Sequence, residues 1–370
     1  MESAVKARKT RTIAVASGKG GVGKSVVTAN LSICLAQQLS VQGESSVVAL
    51  DMDLGCGNLN ACLGVRSPNG SINRYLSNQE SSLTRIMTST QQSNLKMICS
   101  SYGGSPEIEL SVDQKKNLMS EISSLPADFV LLDLGAGISC DVLDMFLAST
   151  DKVIVITPES LSLHNAFVFL KTVILHYLWR ELEREDVLST VRQNWGQMID
   201  DREHLDIRSL IERVKVWDRY AGFVLAGLVD ELEIKFIVNR YRGGIENAHL
   251  RKFHRLLYKY LCVRSNISYL GFVHSDRDVL ASTQALVPFV LEYPDNRAAK
   301  DLRKIANLLI AGEVLDNTPQ LQLPRESEAI SLVTHSAVRS QPQAAKDPVK
   351  HKVLGDPPPI KLSASLKPSH

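Results

Sequence analysis

Residues 13–32 read IAVASGKGGVGKSVVTANLS. An apolar run, a glycine cluster and a helix-forming stretch follow one another without a break. Residues 12–17 predict a short buried strand, and Lys24 to Leu39 predict a helix. Between them, Gly18, Lys19, Gly20, Gly21, Val22, Gly23, Lys24 and Ser25 satisfy the spacing G-x-x-x-x-G-K-[ST]. In that pattern the glycines let backbone N–H groups close around phosphate oxygens at the positive end of the helix. Lys24 is then placed for the terminal phosphates, and the Ser25 hydroxyl for Mg²⁺. One lysine suffices for such a loop. This one carries a second, Lys19, and its purpose has to be found elsewhere.

Working outward, four more apolar runs have the look of the first: SSVVALD ending at Asp51, DFVLLD at Asp133, KVIVIT at Thr157 and IKFIVN at Asn239. They lack alternation and are separated by helix-period segments, which predicts a parallel sheet buried on both faces. The fold class is therefore α/β, a doubly wound and mostly parallel sheet. Each run ends in a polar residue, and ligands of open α/β sheets sit at strand carboxyl ends. Asp51, Asp53 in DMDLGCGNLN, and Asp133 in LLDLGAG are the candidate carboxylates for a metal and a water. Residues 178–232 are highly charged with apolar positions at helical spacing, and predict a helical insertion. Residues 313–370 contain no Phe, Trp or Tyr and eight of the 14 prolines. Such a segment has too little apolar area to offset its ordering entropy, so a disordered tail is expected. The domain reading is a basic tail over 1–11, one domain over 12–312, and the tail over 313–370.

Composition sets the outer bounds. The chain has 370 residues, 44% hydrophobic and 22% charged, which is a globular balance. A formal net charge of +2 advertises no nucleic acid partner. Six cysteines form no C-x-x-C pair, so reduced thiols in a cytoplasmic setting are expected. No apolar run approaches 18 residues, so no bilayer-spanning helix is expected. MESAVKARKTR lacks the apolar stretch of a secretion signal.

KGGVGKS resembles the deviant P-loop of the MinD/ParA/Mrp superfamily, which carries an early lysine. DMDLGCGNLNACLG is similar to switch I of the MinD and FlhG branch, and DLGAGIS to switch II. VITPESLSLHNAFVFLK resembles the segment opening with Thr-Pro-Glu, and FIVNRYR the adenine-contacting strand end. The pieces fall in family order across residues 12–311, with the FlhG-like group of MinD-type ATPases as the nearest resemblance. It implies ATP and Mg²⁺ as cofactors, a P-loop that includes Val26, and an ATP-sandwich homodimer. Lys19 would then touch the phosphates held by the other copy, neutralising charge that one Mg²⁺ leaves over. By the same matching Asp53 would orient the attacking water with help from Asn58. Ser25, Asp51 and Asp133 would serve Mg²⁺, Gly137 would let switch II move, and Asn239 and Arg240 would contact adenine. Pro158 and Glu159 would shape the nearby floor or serve structure alone.

The implied function is an ATP-hydrolysing switch, slow until a partner completes it, that places or counts a flagellum or division site. Two alternatives stay open: an ATP-held dimer restraining a transcription regulator, and a ParA-type segregator of DNA or cargo. The last would use basic residues in NAHLRKFHRLLYKY: His249, Arg251, Lys252, His254 and Arg255. The chain also departs from the family. The helix RAAKDLRKIANLLIAG, with Leu302, Ile305, Ala306 and Leu309 on one stripe, reads as the domain's closing helix. The proline-bearing C-terminus cannot form a membrane-targeting helix, which leaves peripheral membrane contact open but without an anchor. Residues 1–11 hold no D-Q-A-x-x-L element for a GTPase partner. LGFVHSD lacks the Pro that relatives often place before the acidic residue, where the far wall of the adenine pocket is expected. The absence of a C-terminal C-x-x-C argues against an iron–sulfur scaffold, and the absence of a tyrosine cluster against a tyrosine kinase.

Overall fold

A computed structural model describes residues 10–40, 46–55, 57–100, 110–184, 189–198, 206–261 and 267–315. All lie in one compact unit, Met1–Ser327. The expected disordered tail falls, from residue 316 onward, outside the described residues.

Eight strands form one sheet. They are β1 (Arg11–Ala16), β2 (Val47–Met52), β3 (Thr88–Ser89), β4 (Leu95–Ile98), β5 (Phe129–Leu134), β6 (Asp151–Ile156), β7 (Ile234–Tyr241) and β8 (Ile267–His274). Their order is β3-β4-β2-β5-β1-β6-β7-β8, parallel throughout except for the β3–β4 pair. β1 lies centrally. Its crossover leads to β2 on one side, while the chain leaving β5 crosses it to β6 on the other, which opens a crevice at its carboxyl end. β1 shows why both faces must be covered: Ile13 and Val15 are buried in one core, Ala14 and Ala16 in the other.

One face is closed by α1 (Lys24–Ser40), with the short α2 (Leu59–Cys62) beside it. The other holds α3 (Ile72–Leu76), α4 (Val112–Ser123), α5 (Cys140–Ala148), α6 (Ser160–Arg184), α7 (Ser189–Met198), α8 (Ile207–Trp217), α9 (Arg219–Glu231) and α10 (Glu246–Leu261). The chain then returns through α11 (Arg277–Ala285) and α12 (Phe289–Glu292) to α13 (Arg297–Ala311). α13 packs on α1 and β8, with Leu302, Ile305, Ala306 and Leu309 all buried. Asn296 caps its start by accepting the Ala299 N–H at 2.8 Å, and Gly312, at φ +72°, ends it in the left-handed region. It is a closing helix, as its apolar stripe predicts.

Two expectations need correcting. Residues 10 and 11 are not tail: the Thr10 hydroxyl donates to the Leu125 carbonyl at 3.1 Å, and the Arg11 guanidinium forks onto buried Asp151. Likewise Leu315, assigned to the tail, donates its N–H to the Tyr269 carbonyl at 3.0 Å. Ser160–Glu183 is, by length and composition, apolar enough to cross a bilayer, although no apolar run of that length stood out in the sequence. Its apolar face, including Phe169, Leu170, Val173, Ile174 and Leu178, is spent instead on the core of the domain.

Candidate functional site

The glycine loop sits between β1 and α1, and each glycine that matters has a physical reason. Gly21 and Gly23 adopt φ +82° and +86°, which side chains with a Cβ rarely take. Gly18 presses its backbone on α6, where a Cβ would lie 2.2 Å from the Asn165 carbonyl oxygen. The Ser17 hydroxyl donates to the Lys19 carbonyl at 3.0 Å, tightening the turn. Across the crevice, Asn239 Nδ2 donates to the Val22 carbonyl at 2.8 Å, joining the end of β7 to the loop. Ser25 and Val26 follow in the first turn of α1, both half-buried.

Beneath the loop lies a buried charge cluster. The register of β2 against β5 sets Asp51 directly beside Asp133, and both are fully buried. Lys24 Nζ donates to Asp133 Oδ1 at 2.7 Å, and the Thr28 hydroxyl donates to the same oxygen at 3.1 Å. Asp133 Oδ2 is buried with no hydrogen-bond partner among the described residues. Asp51 accepts the N–H groups of Asp53 and Leu59, each at 3.1 Å. Burial, and next the neighbouring Asp133, push the Asp51 carboxyl up to about 7, although those two N–H groups and Lys24 pull the other way. The described residues offer no cluster of three or more His, Cys, Asp or Glu to hold a metal unaided. Mg²⁺ takes one or two carboxylates and completes its shell with water and phosphate. The orphaned Oδ2 and the Ser25 position therefore fit the metal expected with a nucleotide.

The remaining candidates ring this cluster. Asp53 is half-buried and lines a cavity of about 510 Å³ between the Met52–Gly55 loop and the Gly135–Val142 segment. Gly137, at φ +103°, is held by an N–H bond of 3.4 Å to the Ser17 carbonyl, so the segment after β5 is tied to the loop after β1. Asn58 is exposed, and its carbonyl opens α2 by accepting the Cys62 N–H at 3.1 Å. Lys19 is partly exposed, with Nζ 3.9 Å from Glu159. Glu159, read from the sequence only as part of the floor, thus stands beside Lys19. The Pro158 carbonyl faces His249 Nδ1 at 3.2 Å. Arg240, exposed and at φ +56°, follows Asn239, whose Oδ1 accepts the Arg240 N–H at 2.9 Å. LGFVHSD is the end of β8 leading to Asp276, which caps α11, while His274 is held by Asp301 at 2.6 Å.

Sequence reasoning missed Thr28 and the Leu59 N–H. Thr28 stands one helical turn after Lys24, so its spacing could have found it. Nothing local marks Leu59. A second cavity of about 540 Å³ lies between α6 and α10, lined by Leu163, Phe167, Phe253 and Leu256. Its lining shares no residue with the glycine loop.

A family model described as an AAA domain matches residues 10–180. The septum site-determining protein MinD of Helicobacter pylori is 33% identical over 159 residues, 42% of this chain and 55% of its own. The flagellum site-determining protein YlxH of the same organism is 30% identical over 171 residues, 44% and 53% of the two chains. Among solved structures, the MinC:MinD cell division complex of Aquifex aeolicus aligns over 83% of this chain and 97% of its own, with TM-score 0.53 and 19% identity. MinD of Pyrococcus horikoshii complexed with Mg-ADP aligns over 82% and 98%, with TM-score 0.51 and 22% identity. Over residues 10–180 the chain is similar to these MinD-type proteins of the MinD/ParA superfamily. It spans about half the length of the curated relatives it matches. Superfamily members are P-loop ATPases, and the matched stretch contains the glycine loop, both buried aspartates and the Thr-Pro-Glu turn. α7 to α13 lie beyond it, and there the likeness rests on fold alone.

Proposed function

We propose that the protein binds ATP with Mg²⁺ in this crevice, pairs with a second copy across it, and hydrolyses the nucleotide as a timing switch. The observation that carries the reading is the buried set of Lys24, Asp51 and Asp133 directly beneath a glycine loop with an additional, partly exposed lysine. The loop N–H groups and the positive end of α1 hold the phosphates. Lys24 is placed to turn its ammonium from Asp133 toward the terminal phosphate, and Ser25, Asp51 and Asp133 would hold Mg²⁺, which would supply charge neutralisation. Asp53, at the mouth of the cavity facing Gly135, orients the water, with Asn58 nearby. Asn239 and Arg240 border the base. Lys19 exchanges its long contact with Glu159 for the phosphates held by the other copy. The client is an envelope-associated structure of the kind named for the MinD and YlxH relatives, and a partner protein speeds turnover.

Size-exclusion chromatography tests this with ATP, with ADP, and with Lys19→Ala in ATP. The expected result is a dimer only for the unaltered chain in ATP. A protein that stays monomeric in every nucleotide, or a Lys19→Ala variant that pairs as well, overturns the proposal.

A further inference from the structure

The corner where α8 meets α9 turns apolar side chains outward. Asp218 ends one helix and caps the next: its N–H bonds to the Val214 carbonyl at 2.7 Å, and its carboxylate accepts the Ala221 N–H at 3.0 Å. Gly222 lets the two helices meet at backbone distance, since a Cβ there would lie 2.9 Å from the Lys215 Cα. The inner side is ordinary core, with Leu210, Ile211, Val214, Ala221 and Leu225 buried. On the outer side Val216, Trp217, Tyr220 and Phe223 are 84, 57, 64 and 56% exposed. Single exposed apolar residues need no explanation, but four large ones on one corner mark a contact surface.

The surrounding charge narrows the partner. Lys215 and Arg219 both stand over the Phe223 ring, at 5.5 and 5.7 Å from its centroid, and Arg213 is exposed nearby. The two carboxylates of the corner are engaged, Glu212 with Lys215 at 2.7 Å and Asp218 in the cap. The corner therefore shows aromatic rings and cations together. We propose that it docks on an anionic phospholipid surface, with Trp217, Tyr220 and Phe223 at headgroup depth and Arg213, Lys215 and Arg219 against lipid phosphates. Trp and Tyr rings favour that depth because one edge is polar and the body is not. Long basic side chains lay their stems along the apolar surface and keep their charge at the phosphates. A protein partner would need a recess to receive four large side chains, whereas a lipid surface accepts a convex corner as it stands. The proposal uses no residue of the nucleotide site and stands or falls independently of it.

The test is co-sedimentation of the full chain, with and without Mg-ATP, on vesicles of mixed phosphatidylglycerol and phosphatidylcholine and on phosphatidylcholine alone. Trp217 offers a local readout, because the other two tryptophans, Trp179 and Trp195, pack on each other with centroids 6.2 Å apart. The unaltered chain should sediment with the anionic vesicles and shift its emission to the blue. Trp217→Ser/Phe223→Ser, checked for fold by circular dichroism, should weaken partition at least about tenfold. Lys215→Glu/Arg219→Glu should remove the preference for anionic lipid while keeping the fold. The proposal is overturned by no sedimentation in either nucleotide condition, by sedimentation that the serine pair leaves unchanged, or by a corner that instead drives self-association in the absence of lipid.

Discussion

Replacing Lys24 by Met tests the buried cluster without any assumption about nucleotide. The variant keeps side-chain bulk and removes the cation bonded to Asp133 at 2.7 Å. At an effective dielectric of about 20, that separation corresponds to about 6 kcal/mol of attraction. The desolvation of the ammonium offsets part of it. What remains on deletion is an uncompensated carboxylate beside a second one, and removing one member of a buried pair costs about 3–5 kcal/mol. Asp133→Asn added to Lys24→Met removes the stranded charge, so the double variant should recover about 2 kcal/mol relative to the sum of the singles. The assay is equilibrium urea unfolding of nucleotide-free protein, followed by far-ultraviolet circular dichroism, for all four members of the cycle. Losses that add within about 0.5 kcal/mol would refute the coupling. Lys24→Met as stable as the unaltered chain would refute the burial of the pair itself.

Gly18→Ala drives a Cβ into the Asn165 carbonyl; thermal unfolding should show a loss of about 1–3 kcal/mol, and titration with a fluorescent nucleotide should show weakened binding. Burial alone would raise the Asp144 carboxyl, but hydrogen bonds from His176 and Lys115 reverse this and hold it well below the usual carboxylate range. Its contribution is thus present above about pH 4 and fades as pH falls toward the depressed folded value. Asp144→Asn should accordingly destabilise by about 1–3 kcal/mol at pH 7, with the gap to the unaltered chain closing in unfolding curves taken progressively below pH 4. Among Cys34, Cys62, Cys99 and Cys140, burial pushes the first three thiols to about 12, 12 and 11, whereas Cys140 is exposed at the start of α5. A thiol reagent near neutral pH followed by peptide mapping should find Cys140 modified well ahead of those three.

The strands that were legible in sequence are the ones buried on both faces, because continuous apolar runs such as Val47–Leu50 and Phe129–Leu132 carry their own signal. β3 is only two residues long, and β4 is the four-residue LKMI with an exposed Lys96, too short to register. β8 was hidden by Gly271, which reads as a breaker. In the fold that glycine exists because Ile305 of α13 occupies the place of its Cβ, at 2.6 Å. The glycine loop was legible because its geometry is local, with φ, helix start and lysine all inside eight residues. The Lys24–Asp133 bond spans 109 positions, and the Val22–Asn239 bond 217. Pattern can nominate such partners, but only sheet register brings them within reach.

That register also explains how one site can answer to a phosphate. Lys24 has a single ammonium, so under the proposed reading Asp133 and a terminal phosphate would compete for it. When the lysine leaves Asp133, the carboxylate keeps the Thr28 hydroxyl and its unpartnered Oδ2, and Asp51 beside it loses the downward pull of the Lys24 charge. The segment after Asp133 is short: four residues on, Gly137 is bonded to the Ser17 carbonyl, itself one residue before the glycine loop. A change of partner at Lys24 therefore acts at both ends of one small ring, closing through Ser17 on one side and β5 on the other. Asn239, holding Val22 from β7, fixes the loop against the rest of the sheet, so under that reading Gly135–Ser139 and the start of α5 are the segment left to respond. That segment is the wall that faces Asp53.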